Sequence, residues 1–566
     1  MERSYRIMKI WAKSCVFALL TAAVLTFAGC GSSGPSTTTT NKYSVGGTVT
    51  GLAGTGLVLL DNGGNSLPVS TSGSFTFSTS LASGSAYAVT VQTQPSSPAQ
   101  LCTVSNGNGT VANANVTNVT VACTNKSIAG DWTWMGGSST AGASGVYGTL
   151  GTPSATNIPM AHWSSVSWTD ASGDFWLFGG FVGYDSVADP EYLNDLWEYS
   201  PQSGEWTWMG GSSTVGAFGP IGVYGTKGTP AVANIPGARW GAISWTDTSG
   251  NLWLFGGNGS DSTGSQGDQN LNDLWEYSPK SGQWAWMNGS LTANASGVYG
   301  TEDTPAATNS PGARQFSVSW TDASGNLWLF GGYGSDSTGA VGFLNDLWEY
   351  NLKTGEWAWM NGSSTDNALQ GVYGTQGTPA ATNVPGARHS AASWTDSSGN
   401  LWLFGGAGYD TFLNDLWEYS PQSDEWTWMG GSSTGGASSG VYGTQGTPAV
   451  TNVPGGRHQS VSWTDASGNL WLFGGYGYAA TGNPDAGELN DLWEYSPKIG
   501  EWAWIGGSST ANATGIYGAE GMPDVTNNPG ARYGAVSWTD ASGNLWLFGG
   551  SNNGWSIFND LWEYQP

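Results

Sequence analysis

Five arginines, Arg239, Arg314, Arg388, Arg457 and Arg532, recur at one repeat position, and His162 holds that position one interval earlier. They are all the arginines beyond residue 29. A guanidinium offers a planar fork of donors that matches a carboxylate at two points. Two chemistries follow. Each Arg pairs with a carboxylate of its own repeat, such as Asp273 or Glu276, and is structural; or the set forms a basic ring that captures an acidic sugar or a Glu-containing peptide. His162 breaks the pattern and is the candidate acid or base, should the protein act on a sugar. Trp555 stands outside the repeated tryptophans, in a loop, and is the one expected at the surface. Loop acids Asp185, Asp189, Asp261, Asp268, Asp336, Asp410 and Asp485 are of a type that binds calcium, but they share no fixed spacing and read first as solvated loop residues.

Other chemistry is excluded early. No Gly-rich phosphate loop opens a helix, and no nucleophile elbow is present. Beyond residue 29 there are 11 basic and 40 acidic side chains, a net charge of −29. Such a surface repels phosphate backbones, so nucleic acid is not an expected partner.

Those arginines are carried by a repeat. From Asp131 onward the chain resembles itself with a period of 69 to 78 residues, and a period must be read before any local motif. Each unit holds four strand-like strings, in the second unit RWGAISWTD, NLWLFGG, LNDLWEYSP and QWAWM, here strands a to d. Short turns rich in Gly, Asp and Ser join a to b and c to d, as tight hairpins require. The Gly pair ending strand b, the Tyr of strand c and the Trp opening strand d resemble the kelch repeat, with six residues between Tyr199 and Trp206 and again in later units. This resemblance covers residues 131–566 and implies an all-β, six-bladed β-propeller. Gly180, Gly257, Gly332, Gly406, Gly475 and Gly550 end six copies of strand b, and strand c also appears six times. Strand d is out of phase: its first copy, residues 131–135, precedes any strand a, so it is expected to complete the last blade and seal the ring. Thirty of the 34 tryptophans repeat five to a unit and read as core. The string WTDASGNLW resembles the Asp-box of sialidases with one extra residue, and its Asp reads as a cap on the hairpin turn.

In such a blade the b-to-c and d-to-a connections share one face. They are the long ones, so binding is expected there. The d-to-a insert recurs around Tyr147, Tyr224, Tyr299, Tyr373, Tyr442 and Tyr517 and reads as lacing between blades.

The first 125 residues carry different signals. Arg3, Arg6, Lys9 and Lys13 precede an apolar run and Ala28-Gly29-Cys30, so residues 1–29 read as an export signal. LTFAGC resembles the lipobox of bacterial lipoproteins, which implies acylation of Cys30 and a membrane-anchored protein at the outer membrane or cell surface. Residues 30–41 then form a flexible tether. Residues 42–125 alternate in short runs and read as a small Ig-like sandwich with a spacer role, closed by a disulfide between Cys102 and Cys123.

The kelch resemblance also reaches enzymes. Galactose oxidase needs a Cys crosslinked to Tyr, and residues 131–566 contain no Cys, so that copper site cannot form. No cofactor is expected beyond the calcium already weighed. The reading is a surface binding or adhesion module for an extracellular protein or glycan. Its alternative is a metal-independent carbohydrate epimerase or mutarotase, resembling N-acetylneuraminate epimerase.

Overall fold

The computed structural model describes residues 41–566 except residues 53, 96–99, 126–129, 185–188, 265–268, 435, 437 and 481–485. The export signal, Cys30, nearly all of the tether and the acids Asp185, Asp268 and Asp485 lie outside the described residues. Among those described there is no helix, hence none long and apolar enough to cross a membrane. The chain divides into two units, Met1–Ser127 and Ile128–Pro566.

The first unit contains two four-stranded sheets. One orders Gly73–Thr76, Val45–Thr50, Val116–Asn125 and Gln100–Ser105; the other orders Asn65–Val69, Leu57–Asp61, Ala86–Thr93 and Asn108–Thr110. Alternation along the strands sends Val45, Val49, Leu57, Leu59, Val89, Val119 and Val121 into one shared core. Val45–Thr50 runs parallel to Val116–Asn125, and a Cβ at Gly47 would lie 1.7 Å from the Val119 carbonyl oxygen, so only glycine fits there. Cys102 and Cys123 sit directly opposite on paired strands and are joined in a disulfide. Closing a loop of this length stabilises a small unit by about 3 kcal/mol.

The second unit contains six antiparallel sheets of the same plan, numbered here in chain order. Sheet 2 is typical: Arg239–Trp240 and Ile243–Thr246 form its inner edge, followed outward by Leu252–Gly259, Asn270–Ser278 and Gln283–Asn288. Strand a is thus broken where the sequence suggested one run. The break falls at Gly241, and its counterparts Ser164, Phe316, Ser390, Gln459 and Gly534 share a φ of 52° to 65°. Strand b bulges at its Gly pair, where Gly256 and Gly257 take φ of 64° and 94° and the register with strand c shifts. Sheet 6 takes its outer strand from the other end of the unit: Trp132–Gly136 pairs with Leu561–Tyr564, Trp132 opposite Tyr564.

The cores lie between sheets. Trp168, Trp176 and Phe178 of sheet 1 pack with Leu252, Leu254, Trp275 and Trp284 of sheet 2, and the same set recurs at the other five junctions. Strand b is covered on both faces, so its pattern reads as continuous apolar residues, whereas the inner strand alternates. Three closed circles of hydrogen bonds tie the inner strands together. The Ser244 hydroxyl donates to the Ser167 carbonyl at 3.0 Å, and this step repeats through Ser319, Ser393, Ser462 and Ser537 back to Ser167. The Trp168 indole N–H donates to the Trp253 carbonyl of the next sheet at 2.9 Å, again around the whole set. At the strand break the backbone N–H of Gly241 reaches the Ser164 carbonyl at 2.9 Å, and five more such steps return through Gly534 to Ser164. These bonds give the strand-a indoles a partner for their one donor, which burial alone would leave unmet.

Candidate functional site

The arginines are not part of an open site. Arg239 donates to both carboxylate oxygens of Asp273, at 2.7 and 2.8 Å, and its remaining donors reach the carbonyls of Gly237 and Gly256. Arg314–Asp346, Arg388–Asp415, Arg457–Asp491 and Arg532–Asp560 repeat this geometry, and both partners are buried throughout. Burial opposes the charge on each guanidinium, but the adjoining Asp outweighs it and raises the pKa. Arg388 does reach the wall of a cavity of about 570 Å³ with Leu369 and Tyr373, yet its donors are already engaged. The expectation of a ligand-capturing basic ring is therefore corrected: the five cations are spent inside the sheets. The same Asp residues accept from the Tyr of the d-to-a insert, Tyr224 on Asp273 at 2.7 Å, and from the Trp two residues on, Trp275. The insert also bonds the outer strand of its sheet, through Gly151 to Trp208 and Asn157 to Trp206. These long connections are structural lacing.

His162 is also corrected as a catalytic candidate. Only 2% of it is exposed, Nδ1 lies 2.7 Å from the Met160 carbonyl, and its ring packs on Phe548. Burial pushes its pKa down to about 4, and no face is open to a substrate. Its sheet-mate Asp195 thus has no arginine. Tyr147 and Trp197 donate to it, yet burial pushes its carboxyl up to about 6.

The loop acids fare similarly. Asp261 accepts from the backbone of Thr263, Gly264 and Ala293, and Asp336 from that of Thr338, Ala340 and Asp366. These carboxylates order their loops. The Asp of the WTD string does cap its hairpin: Asp322 accepts from the N–H groups of Ser324 and Asn326, and also from the Trp328 indole. Asp170, Asp174 and Glu198 form one carboxylate group, within 4.8 Å of one another, close enough to share a cation. Burial, then Asp174 and Asp170, pushes Glu198 up to about 7.

An aromatic site emerges instead. In each sheet the residue after the Arg position alternates to the other side of the strand from the buried Arg, and the next residue turns the chain into the backbone circle. These second residues are Trp163, Trp240, Gln315, His389, His458 and Tyr533. With Phe316 and Tyr476 their rings close a circuit: Trp163–Trp240 at 5.1 Å, then Phe316, His389, His458, Tyr476 and Tyr533, back to Trp163 at 5.3 Å. Phe181, Phe343 and Phe412 from the b-to-c region pack against it. Above these stand exposed rings on the same connections, Tyr409 at 66%, Tyr184 at 52% and Trp555 at 76%, with Trp555 beside Tyr184. A cavity of about 210 Å³ adjoins Trp555, with Met160, Val182, Glu191 and Ile557 in its wall.

Three polar atoms among the circuit residues are buried without a hydrogen-bond partner: Trp163 Nε1, Gln315 Oε1 and His458 Nδ1. Burial lowers His389 to about 4, and burial together with the neighbouring His389 lowers His458 to about 3, so both rings are neutral at physiological pH. Sequence reasoning did not gather Trp163, Trp240, His389 and His458. Their shared place one residue after each Arg position was the available signal.

At the opposite end of the ring, Ser, Trp and Thr of all six inner strands line a cavity of about 370 Å³. Its hydroxyls largely face neighbouring carbonyls.

Residues 227–429 match the KLHDC2/KLHL20/DRC7 Kelch-repeats domain family. The chain is also similar to a solved structure titled "Structure of YjhT", at 16% identity and a TM-score of 0.41, over 71% of this chain and 95% of that one. No curated protein matches.

Proposed function

We propose that the chain is an exported, lipid-anchored binding module: Cys30 carries the anchor, an Ig-like spacer follows, and a six-bladed kelch propeller presents the ligand site on its long-loop face. The observation that carries this reading is the aromatic circuit with its exposed outer rings, held at one end of a rigid ring of sheets. Rigid aromatic rings supply contact area at little entropic cost. The guanidiniums that acid–base work on a sugar could use are locked into structural pairs with buried carboxylates. A thermal-shift screen of residues 42–566 against neutral and acidic sugars, run alongside polarimetry, tests the reading. Saturable stabilisation with unchanged optical rotation is the expected result. The second reading, a metal-independent sugar epimerase or mutarotase, draws on one observation, the unpartnered Nδ1 of neutral His458. A change of optical rotation that disappears in His458→Ala would replace the first reading with the second.

A further inference from the structure

The binding face rests on the reading above; the chemistry gathered there narrows its ligand. No Lys, Arg or His occurs in any of the six b-to-c connections. The five arginines are neutralised within their sheets, and the two histidines of the circuit are neutral. The d-to-a connections of the same face carry one cation, Lys227, which donates to Asn288 and lies over the Trp286 ring at the outer strand of sheet 2, so an anion at the circuit meets no cation, within a protein of strongly negative net charge.

The orphaned atoms separate the remaining classes. The Trp163 indole N–H can only donate, the Gln315 Oε1 can only accept, and the His458 Nδ1 does either according to its tautomer. A cation would answer the acceptors and leave the indole N–H unmet, while an anion would do the reverse. A hydrocarbon chain would answer neither and would leave every one of these buried groups unmet. Hydroxyl groups both donate and accept. The surrounding rings in turn favour C–H faces, which offer apolar area without charge. One ordinary ligand class carries hydroxyls at its rim and C–H bonds on its faces, the pyranose ring.

We propose that the aromatic circuit of Trp163, Trp240, His458 and Tyr533 binds a neutral pyranose unit of a glycan, with Gln315 Oε1 accepting from one of its hydroxyls and the rings of the circuit covering a sugar face.

Isothermal titration of residues 42–566 with cellohexaose, mannohexaose, xylohexaose and chitohexaose tests this, with polygalacturonate as the anionic probe and choline as the cationic one. At least one neutral oligosaccharide is expected to bind saturably. Gln315→Leu removes the acceptor but keeps the approximate shape, so it should weaken that binding roughly three- to tenfold. The free protein should melt no lower, because an unmet polar atom has been removed; a purely structural Gln315 would show the opposite. Trp555→Ala, at an exposed position, provides a variant whose folding is not in question and should weaken longer oligosaccharides more than single sugars. Binding of polygalacturonate or choline in place of the neutral sugars, still sensitive to Gln315→Leu, overturns the ligand class and leaves the binding face standing. Neutral-sugar binding indifferent to both substitutions overturns the face as well. Silence from every probe overturns the neutral-glycan proposal.

Discussion

Sheet 1 and its five companions are built from nearly the same string, yet they handle buried charge in opposite ways. In sheets 2 to 6 an Arg neutralises the buried Asp of strand c. Near the hairpin turn an Asn sits between acids in three of them: Asn326 donates to Asp322 and Glu349, Asn400 to Asp396 and Glu418, and Asn544 to Asp540 and Glu563. Sheet 1 has His162 for the Arg and Asp174 for the Asn. Both changes remove a donor from beside a carboxylate; burial then raises Asp195 to about 6, while Glu198 rises to about 7 as Glu563 of sheet 6 does beside its Asn544, so the contrast rests on Asp195. A repeat therefore tolerates loss of its ion pair when the acid can hold a proton instead.

The contrast can be broken most forcefully at its best-paired member. Asp273→Asn leaves Arg239 buried without a carboxylate and should cost about 3–5 kcal/mol in denaturant unfolding. Asp195→Asn in sheet 1 should stay within about 1 kcal/mol of the parent protein at pH 7, because it removes an unpaired buried acid. Equal losses at the two sites would end the comparison.

Next in size is a pH effect. The Asp195 carboxyl titrates near 6 when folded and about 3.9 when unfolded, so between those values the native state binds more protons. Its contribution is fully present below about pH 4 and is lost as pH rises through 6, a change of about 3 kcal/mol. The three buried histidines act in the other direction, since their lowered values make folding less favourable as pH falls from about 6.5. The stability difference between the parent and Asp195→Asn, measured from pH 3 to 8, isolates the acid; a flat difference would mean that Asp195 is ionised throughout.

His162→Arg should import the missing cation and raise stability at pH 7 by about 1–3 kcal/mol, through charge-assisted bonds to Asp195. The smallest expected effect is that of Asp174→Asn, which places an amide between Asp170 and Glu198 as Asn326 stands between Asp322 and Glu349. It should add about 0.5–1.5 kcal/mol at pH 8 and bring the Glu198 titration, followed by NMR, below 7.

The sequence made the repeating sheets legible because each strand carries a turn or a bulge at a fixed place: Gly256-Gly257 closing strand b, Asp247 capping a hairpin, Tyr277 and Trp284 in register. The out-of-phase Trp132 strand could be matched to its place by counting. The site was harder to read. Arg239 and its equivalents announced themselves by spacing, but spacing does not say whether a charge faces solvent or Asp273; only the depth of the side chain does. The aromatic circuit was hidden for the converse reason. Its members differ in type, as Trp240, His458 and Tyr533 do, and some enter from another register, as Phe316 and Tyr476 do, so no single string repeats.

The backbone circle through Ser164, Gly241, Phe316, Ser390, Gln459 and Gly534 has a mechanical corollary. Each residue is at once giver and receiver, so the loss of any one sheet opens two bonds and leaves no intact arc with satisfied ends. Open repeat arrays fray from a terminal unit; a loop of this kind has no terminus from which to begin. Its melting should accordingly be all-or-none across several hundred residues, and partial digestion should yield either the whole ring or small fragments.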